Sequence, residues 1–261
     1  MICAWLFIPQ FLPFIWIFFG VLAVFSFFFF SSVLSKRWAN IQQISFQKKI
    51  FSTALVIRVV YVVLIYFFYQ AKTGEPFEFH AGDSGGYHYT ANWIVDVFYY
   101  GWIGRIFSEQ MVGFSDSGWP IILAVIYLLS FRNILIARLV NALVSAWMVV
   151  LIYKIARRNF GEQASRITAI MALLLPSFIY YSGLHLKESM MIFLLMAFMD
   201  QADKLLHSRS FTFINILVVG LLGTSLFFFR TVLATAAWFA LFSAFLLSSE
   251  KLMSQYHRIV I

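Results

Sequence analysis

A short polar segment, Asp83-Ser84-Gly85-Gly86-Tyr87-His88, interrupts a very hydrophobic chain between its second and third long apolar runs. A carboxylate at the edge of a membrane span can act as a general base, or ligate a metal, toward a substrate whose tail lies in lipid. The two glycines would let the backbone approach that substrate closely. The simpler interpretation is that Asp83 caps the following helix by accepting bonds from the N–H of Gly85 or Gly86, and the local sequence alone favours the cap.

A second carboxylate, Glu188, lies in the short turn Leu184-His185-Leu186-Lys187-Glu188-Ser189 between two apolar runs. An ionisable residue so close to the hydrocarbon is a candidate for function. The alternative is structural, because a carboxylate in the first turn of a helix interacts favourably with the helix dipole and can pair with Lys187. The sequence leaves the two interpretations even.

Arginines interrupt several of the apolar runs. Arg230 divides the stretch from Phe211 to Leu247, where it either sits among lipid headgroups or binds a phosphate with its planar guanidinium fork. Arg58 and Arg138 lie within predicted spans, and Arg58 is expected to pair with another helix or to extend toward the headgroups.

Three histidines, His80, His88 and His185, could ligate a metal together with Asp83 or Glu188. A divalent ion is the only cofactor that the sequence suggests. No ligand spacing typical of a metal site is present, so no residue is assigned to it.

Composition indicates an all-α, polytopic membrane protein. Hydrophobic residues make up 62% of the 261 residues, charged residues make up 11%, and the mean hydropathy is +0.86. Long apolar segments cross lipid as helices because a helix satisfies its own backbone hydrogen bonds. The net charge of +8 does not indicate a nucleic-acid partner, since the basic residues lie in short loops where they orient the spans. The single cysteine, Cys3, excludes an intrachain disulfide.

About seven spans are predicted from the apolar runs. They lie within Trp5 to Leu34 and at Ile50 to Tyr69, Ile134 to Tyr153, Ile167 to Leu184, Ser189 to Leu206, Phe211 to Phe229 and Thr231 to Ser248. Residues 35–49 and 154–166 are rich in Lys and Arg, which predicts a cytoplasmic location, whereas residues 70–117 are acidic and suit the opposite side. This count places Asp83, Lys187, Glu188 and Arg230 on one outer face.

The large outer loop, residues 70–133, is predicted to contain interfacial helices. Tyr87, Ala91, Ile94 and Phe98 recur at helical spacing, and His88, Asn92 and Asp96 form a polar stripe on another face. The apolar segment from Gly118 to Phe131 is too short to span a membrane and predicts a second interfacial or half-inserted helix.

Several segments together resemble the N-terminal half of GT-C superfamily membrane glycosyltransferases, of the protein-mannosyltransferase and aminoarabinose-transferase type. They are Ser117-Gly118-Trp119-Pro120, Arg138-Leu139-Val140-Asn141-Ala142, Tyr153-Lys154-Ile155-Ala156-Arg157-Arg158-Asn159-Phe160-Gly161, Pro176-Ser177-Phe178-Ile179-Tyr180-Tyr181-Ser182 and Lys187-Glu188. The resemblance covers residues 50–248. It divides the chain into an extra N-terminal span with a basic loop (1–49), the GT-C-like core (50–248) and a cytoplasmic tail (249–261).

The resemblance implies a polyprenyl-phosphate-linked sugar donor in the bilayer of a bacterial inner membrane and an acceptor, which is a glycan, a lipid or a protein, on the extracytoplasmic face. It maps the catalytic carboxylates onto Asp83 and Glu188. We assign substrate binding to Tyr87, His88, Arg138, Lys187 and Arg230. A chain of this length is expected to be a truncated form, a short variant that needs a partner, or an inactive relative. The alternative hypothesis is a non-catalytic membrane protein that binds lipid-linked glycans or assembles a cell-envelope polysaccharide complex.

Overall fold

The computed structural model describes residues 14–79, 82–101, 114–207 and 212–259. The predicted start of the first span near Trp5, the candidate ligand His80 and the middle of the outer loop lie outside these ranges. Within them the regular structure is entirely helical, which confirms the predicted all-α class. The helices are α1 (Phe14–Arg37), α2 (Gln43–Thr73), α3 (Gly82–Tyr99), α4 (Gly118–Ser130), α5 (Ile134–Leu174), α6 (Pro176–Gly183), α7 (Glu188–His207), α8 (Phe213–Phe227) and α9 (Thr231–Ile259), with a 3₁₀ turn at Phe114–Asp116.

Three of these helices are long and apolar enough to cross a membrane: Ile17–Arg37, Gln43–Thr73 and Ile134–Leu174. Three shorter apolar helices accompany them, at Gly118–Ser130, Phe213–Phe227 and Thr231–Leu246. A membrane protein is therefore the class that the helices indicate.

Helix α5 folds back on itself at Gly161. This residue has φ 82° and ψ 179°, a conformation essentially restricted to glycine. Arg58 of α2 donates to Ser145 Oγ at 2.8 Å and to the carbonyl oxygen of Leu173 at 3.5 Å. A straight helix would hold residues 145 and 173 about 42 Å apart at 1.5 Å per residue, so the two halves of α5 lie side by side. The second half then breaks at Pro176, where α6 begins.

The main core lies where α1, α2 and both halves of α5 meet. Small residues such as Ala54, Ala146 and Ala169 are fully buried there and allow close approach of the helix backbones. Phe46 packs against the ring of Tyr153 at 5.2 Å between centroids. Arg58 is also fully buried and donates to Ser145 on another helix. The sequence predicted either such a pairing or extension toward the headgroups, and the structure shows the pairing.

The end of the bundle opposite Asp83 is closed by ionic and polar contacts. Arg166 donates to the carbonyl oxygens of Trp38, Ala39 and Ile41 at 2.9, 2.8 and 2.6 Å, which ties the end of α1 to α5. Arg158 pairs at 2.7 Å with Asp200 of α7, and this pairing compensates the buried carboxylate.

Several helix boundaries differ from the prediction. Helix α2 begins at Gln43 instead of Ile50, so Lys48 and Lys49 lie within the helix. Helix α9 continues to Ile259, past the predicted end at Ser248. Charged residues ended the apolar pattern in both places, but Lys, Glu and Gln are good helix formers and do not end a helix.

Candidate functional site

The turn before α7, residues 184–187, is fixed from two sides by buried polar side chains. Asn141 of α5 donates to the carbonyl oxygens of Leu184 and Leu186 at 3.3 and 3.4 Å. The Trp119 indole of α4 donates to the carbonyl oxygen of His185 at 3.4 Å. These bonds satisfy backbone groups that the turn would otherwise bury without partners, and they set the position from which Lys187 and Glu188 project.

Lys187 lies at the centre of a group of charged and aromatic side chains. It is 8% exposed and forms an ion pair with Asp116 of the 3₁₀ turn. Its Nζ lies 6.0 Å from the centroid of the Tyr87 ring, within range of a cation–π contact. Burial lowers the pKa of Lys187, the charges of Glu188 and Asp83 counteract that shift, and Arg230 adds to it.

Glu188 is the first residue of α7 and is half-buried. Its Oε2 has no hydrogen-bond partner within the described part of the chain. Burial raises the pKa of this carboxyl group, the nearby charge of Asp83 raises it further, and Lys187 and Arg230 act in the opposite direction. A raised pKa makes a carboxylate a stronger base at neutral pH.

Asp83 lies in the first turn of α3 and is exposed. Across the described residues no backbone N–H donates to its side chain, so the structure gives the predicted cap no support. Its charge instead acts on the neighbouring site residues. Burial raises the pKa of Tyr87 to about 12, Asp83 and Glu188 contribute in the same direction, and Arg230 opposes them.

Arg230 connects α8 to α9 at the edge of this group and is exposed. Its position follows from a close contact in which the Gly118 N–H donates to the carbonyl oxygen of Phe228 at 2.9 Å. A methyl group on Gly118 would lie 2.8 Å from the Phe229 ring, so only glycine permits this approach. Among the residues with described side chains, no carboxylate pairs with Arg230, and its guanidinium group is available to an anion.

The structure does not bring His88 and Arg138 into this group. Both ring nitrogens of His88 are occupied within the protein, by Tyr127 and Asn92. Arg138 is 1% exposed and donates to the carbonyl oxygen of Pro76. The charge of Glu78 acts on Arg138, and the Glu78 carboxylate accepts a bond from Ser84. These two predicted binding residues therefore lie behind the site.

Two members of the predicted polar stripe on α3, His88 and Asp96, contact residues outside their own helix. His88 contacts Tyr127 of α4, and Asp96 pairs with Arg132 just beyond α4. Phe98, predicted on the apolar face, is 51% exposed. The pattern identified the helix correctly, but both faces of an amphipathic helix can find a partner when a second helix packs alongside.

Four residues of the site region were not predicted from the sequence: Asp116, Trp119, Tyr127 and Asn141. Asp116 was counted only as outer-face charge, although it forms the ion pair with Lys187. The other three lie in apolar runs, where the only available signal was that each carries a hydrogen-bonding group that burial must satisfy.

The divalent-ion hypothesis finds no suitable ligand set. No three His, Cys, Asp or Glu side chains gather closely enough to hold a metal ion in the residues that the structure describes. No chemical step is assigned to such an ion.

Comparisons of the chain with protein-family models, with curated proteins and with solved structures find no match.

Proposed function

We propose that the protein is a membrane glycosyltransferase that moves a sugar from a polyprenyl-phosphate-linked donor to an acceptor on the extracytoplasmic side of a bacterial inner membrane. One observation carries this proposal. Asp83, Lys187, Glu188 and Arg230 come from three separate segments and act electrostatically on one another at one end of the bundle. Such a group of carboxylates and cations suits a reaction in which a phosphate leaves and a proton is removed.

The charges at the two ends of the bundle support the orientation. Basic residues dominate the end that carries Lys36, Arg37, Lys154, Arg157 and Arg166. By the positive-inside rule this end is cytoplasmic, and the site then faces outward. Seven crossings follow if α1, α2, each half of α5, α7, α8 and α9 all span the bilayer, with α6 extending the second half of α5.

The proposed chemistry assigns a part to each of these side chains. Arg230 and Lys187 bind the donor phosphate at headgroup level, and the ring of Tyr87 lines the site beside Lys187. The acceptor oxygen or nitrogen attacks the anomeric carbon while Asp83 takes its proton. The bond from this carbon to the phosphate oxygen breaks, and polyprenyl phosphate leaves with the electron pair. The two cations stabilise the leaving charge, and attack from the opposite side inverts the anomeric carbon.

Glu188 has a different environment from Asp83 and therefore a different part. Its buried Oε2 lies inside the protein wall, whereas Asp83 is open to an incoming acceptor. Ionised Glu188 stabilises the positive charge that develops on the sugar ring and helps to hold Lys187 in place. Both carboxylates are thus required.

The test is sugar transfer by the purified protein in liposomes that contain labelled polyprenyl-phosphate sugars. Asp83→Asn and Glu188→Gln should each lower the turnover rate by about 100-fold or more. Asp96→Asn is the matched control, because Asp96 lies on the same helix and pairs with Arg132 away from the site. Arg230→Ala should raise the KM for the donor. Wild-type rates in both carboxylate variants would contradict the proposal.

The same experiment addresses the non-catalytic alternative. A wild-type protein that binds the labelled lipid in an Arg230-dependent manner, and transfers sugar to no acceptor, would be a lipid-linked glycan-binding protein of cell-envelope assembly instead of an enzyme.

A further inference from the structure

A buried chain of three hydrogen-bonding side chains joins α3, α4 and the turn before α7. His88 Nδ1 lies 2.7 Å from Tyr127 Oη, and Tyr127 Oη lies 3.1 Å from His185 Nε2. Tyr127 and His185 are each 1% exposed, and their rings stack at 6.1 Å with an interplanar angle of 12°. The proposed transfer reaction uses neither of them.

Asn92 fixes the direction of the hydrogen bonds made by His88. Its amide nitrogen lies 3.0 Å from the carbonyl oxygen of His88 and also 3.0 Å from His88 Nε2. A carbonyl oxygen can only accept, so the group facing it must be the NH₂ of the amide. Its second hydrogen points at His88 Nε2, which is therefore an acceptor, and the ring proton is on Nδ1.

The remaining protons follow in order. His88 Nδ1–H donates to Tyr127 Oη, and the single hydrogen of the hydroxyl group has His185 Nε2 as its available acceptor. His185 then carries its own proton on Nδ1, which is buried and has no hydrogen-bond partner among the described residues. Both histidines are neutral Nδ1–H tautomers. This state agrees with their burial, which lowers the pKa of His88 and lowers that of His185 to about 3.

The chain connects the supports of the two candidate catalytic carboxylates. His88 lies five residues after Asp83 on α3, and His185 lies three residues before Glu188. Tyr127 stands between them on α4. In the part of the chain that the structure describes, α3 also reaches the turn at residues 184–187 through ring contacts, His88 with His185 at 6.1 Å and Tyr87 with Lys187 at 6.0 Å, but through no hydrogen bond or ion pair of its own.

We infer that Tyr127 is a positioning residue, which acts through His88 and His185 to set the distance between Asp83 and Glu188. His88 then contributes through this chain and does not bind substrate. The kinetic consequence rests on the proposed function, whereas the proton positions and the spacing of the helices do not.

The proton positions are tested by NMR on protein labelled with ¹⁵N-histidine. The expected result is an Nδ1–H tautomer for both His88 and His185, assigned by the loss of each signal in His88→Gln and His185→Gln. Tyr127→Phe removes the donor to His185 and should shift the ring nitrogen signals of both histidines. Tyr99→Phe, at an exposed tyrosine at the end of α3, should shift neither. An Nε2–H tautomer at either histidine would overturn the assignment.

The positioning role is tested by the distance between α3 and α7. Spin labels at Tyr89→Cys and Met199→Cys, both exposed positions, are introduced in a Cys3→Ser background, and the distance distribution is measured by pulsed electron paramagnetic resonance. Tyr127→Phe should at least double the width of this distribution, and Tyr99→Phe should leave it unchanged. An unchanged width in Tyr127→Phe would overturn the inference.

Enzyme kinetics separate this inference from the proposed function. In the transfer assay Tyr127→Phe should lower kcat about tenfold and change the donor KM by less than twofold, because the cations that bind the donor are untouched. A rise in KM alone would overturn the positioning role. If the wild-type protein transfers no sugar while the NMR and distance results hold, then the glycosyltransferase proposal fails and the structural role of Tyr127 stands.

Discussion

The buried histidine His185 predicts a specific loss of stability in acid. Burial lowers its pKa from 6.5 to about 3, and the charge of Arg138 adds to that effect. In the unfolded chain the same imidazole is protonated below about pH 6.5. The unfolded state therefore binds an extra proton between these two values. Stability from this group is complete above pH 6.5 and is lost as the pH falls toward 3.

The magnitude follows from the width of that window. One proton bound only by the unfolded state costs about 1.4 kcal/mol per pH unit. Lowering the pH from 6.5 to 5.0 should thus reduce the free energy of unfolding by about 2 kcal/mol. For a protein of this size that corresponds to a fall of about 4–8 °C in Tm.

The assay is thermal unfolding in detergent, followed by tryptophan fluorescence at pH 7 and pH 5. His185→Gln retains an acceptor for the Tyr127 hydroxyl group but does not titrate, so its Tm should fall less between these pH values than the wild-type Tm, by about 4–8 °C. His207→Gln, at the exposed end of α7, should show the same fall in Tm between pH 7 and pH 5 as the wild type. If Tm falls equally between pH 7 and pH 5 in the wild type and in His185→Gln, the prediction is wrong, because His185 would then be open to protonation in the folded state.

Three further predictions use the same thermal measurement. Gly161→Ala should destabilise the protein by about 1–3 kcal/mol, because φ 82° with ψ 179° is a conformation that residues with a side chain rarely adopt. Gly20→Ala, in open space on α1, should not destabilise it. Equal changes in Tm for the two variants would contradict the turn within α5. Glu188→Gln should raise Tm at neutral pH. The raised pKa of Glu188 means that its ionisation at neutral pH opposes folding, and glutamine does not ionise. The gain in Tm should vanish below pH 4.5, where the carboxyl group is neutral in both states, and a gain that persists in acid would contradict this explanation. Arg58→Met should leave Tm unchanged or raise it, since it removes a buried cation that has only neutral acceptors. Ser145→Ala should instead cost about 1–3 kcal/mol, because it removes an acceptor and leaves the cation in place. A larger loss of stability in Arg58→Met than in Ser145→Ala would contradict this prediction.

The reversal of α5 illustrates what the sequence could predict. A basic, polar segment between two apolar runs indicated two antiparallel spans, and the glycine at position 161 permits the turn between them. Pattern alone could not locate the ends, because helical structure continues through the charged residues around Arg157 and resumes directly after Gly161. Only tertiary contacts, such as those of Arg58, fix the level at which the two halves meet.

The site shows a similar division. The distribution of charged residues and the order of the spans predicted that Asp83, Glu188 and Arg230 lie at one end of the bundle, because both patterns can be followed along the sequence without knowing any tertiary contact. The roles of His88 and Arg138 could not be read in the same way, because a polar residue on a helix looks identical in sequence whether it faces water, a ligand or another helix. Their partners, Tyr127 and the Pro76 carbonyl group, lie 39 and 62 residues away.

The three carbonyl bonds of Arg166 impose an order on biogenesis. Only 6% of the membrane window of α1 is buried, and the connection that follows α1 accepts its bonds from a residue synthesised more than 120 positions later. During translation these bonds can form only once Arg166, which lies after the turn at Gly161, has been synthesised. The connection between α1 and α2 is therefore anchored to the bundle only after the second half of α5 has begun to form.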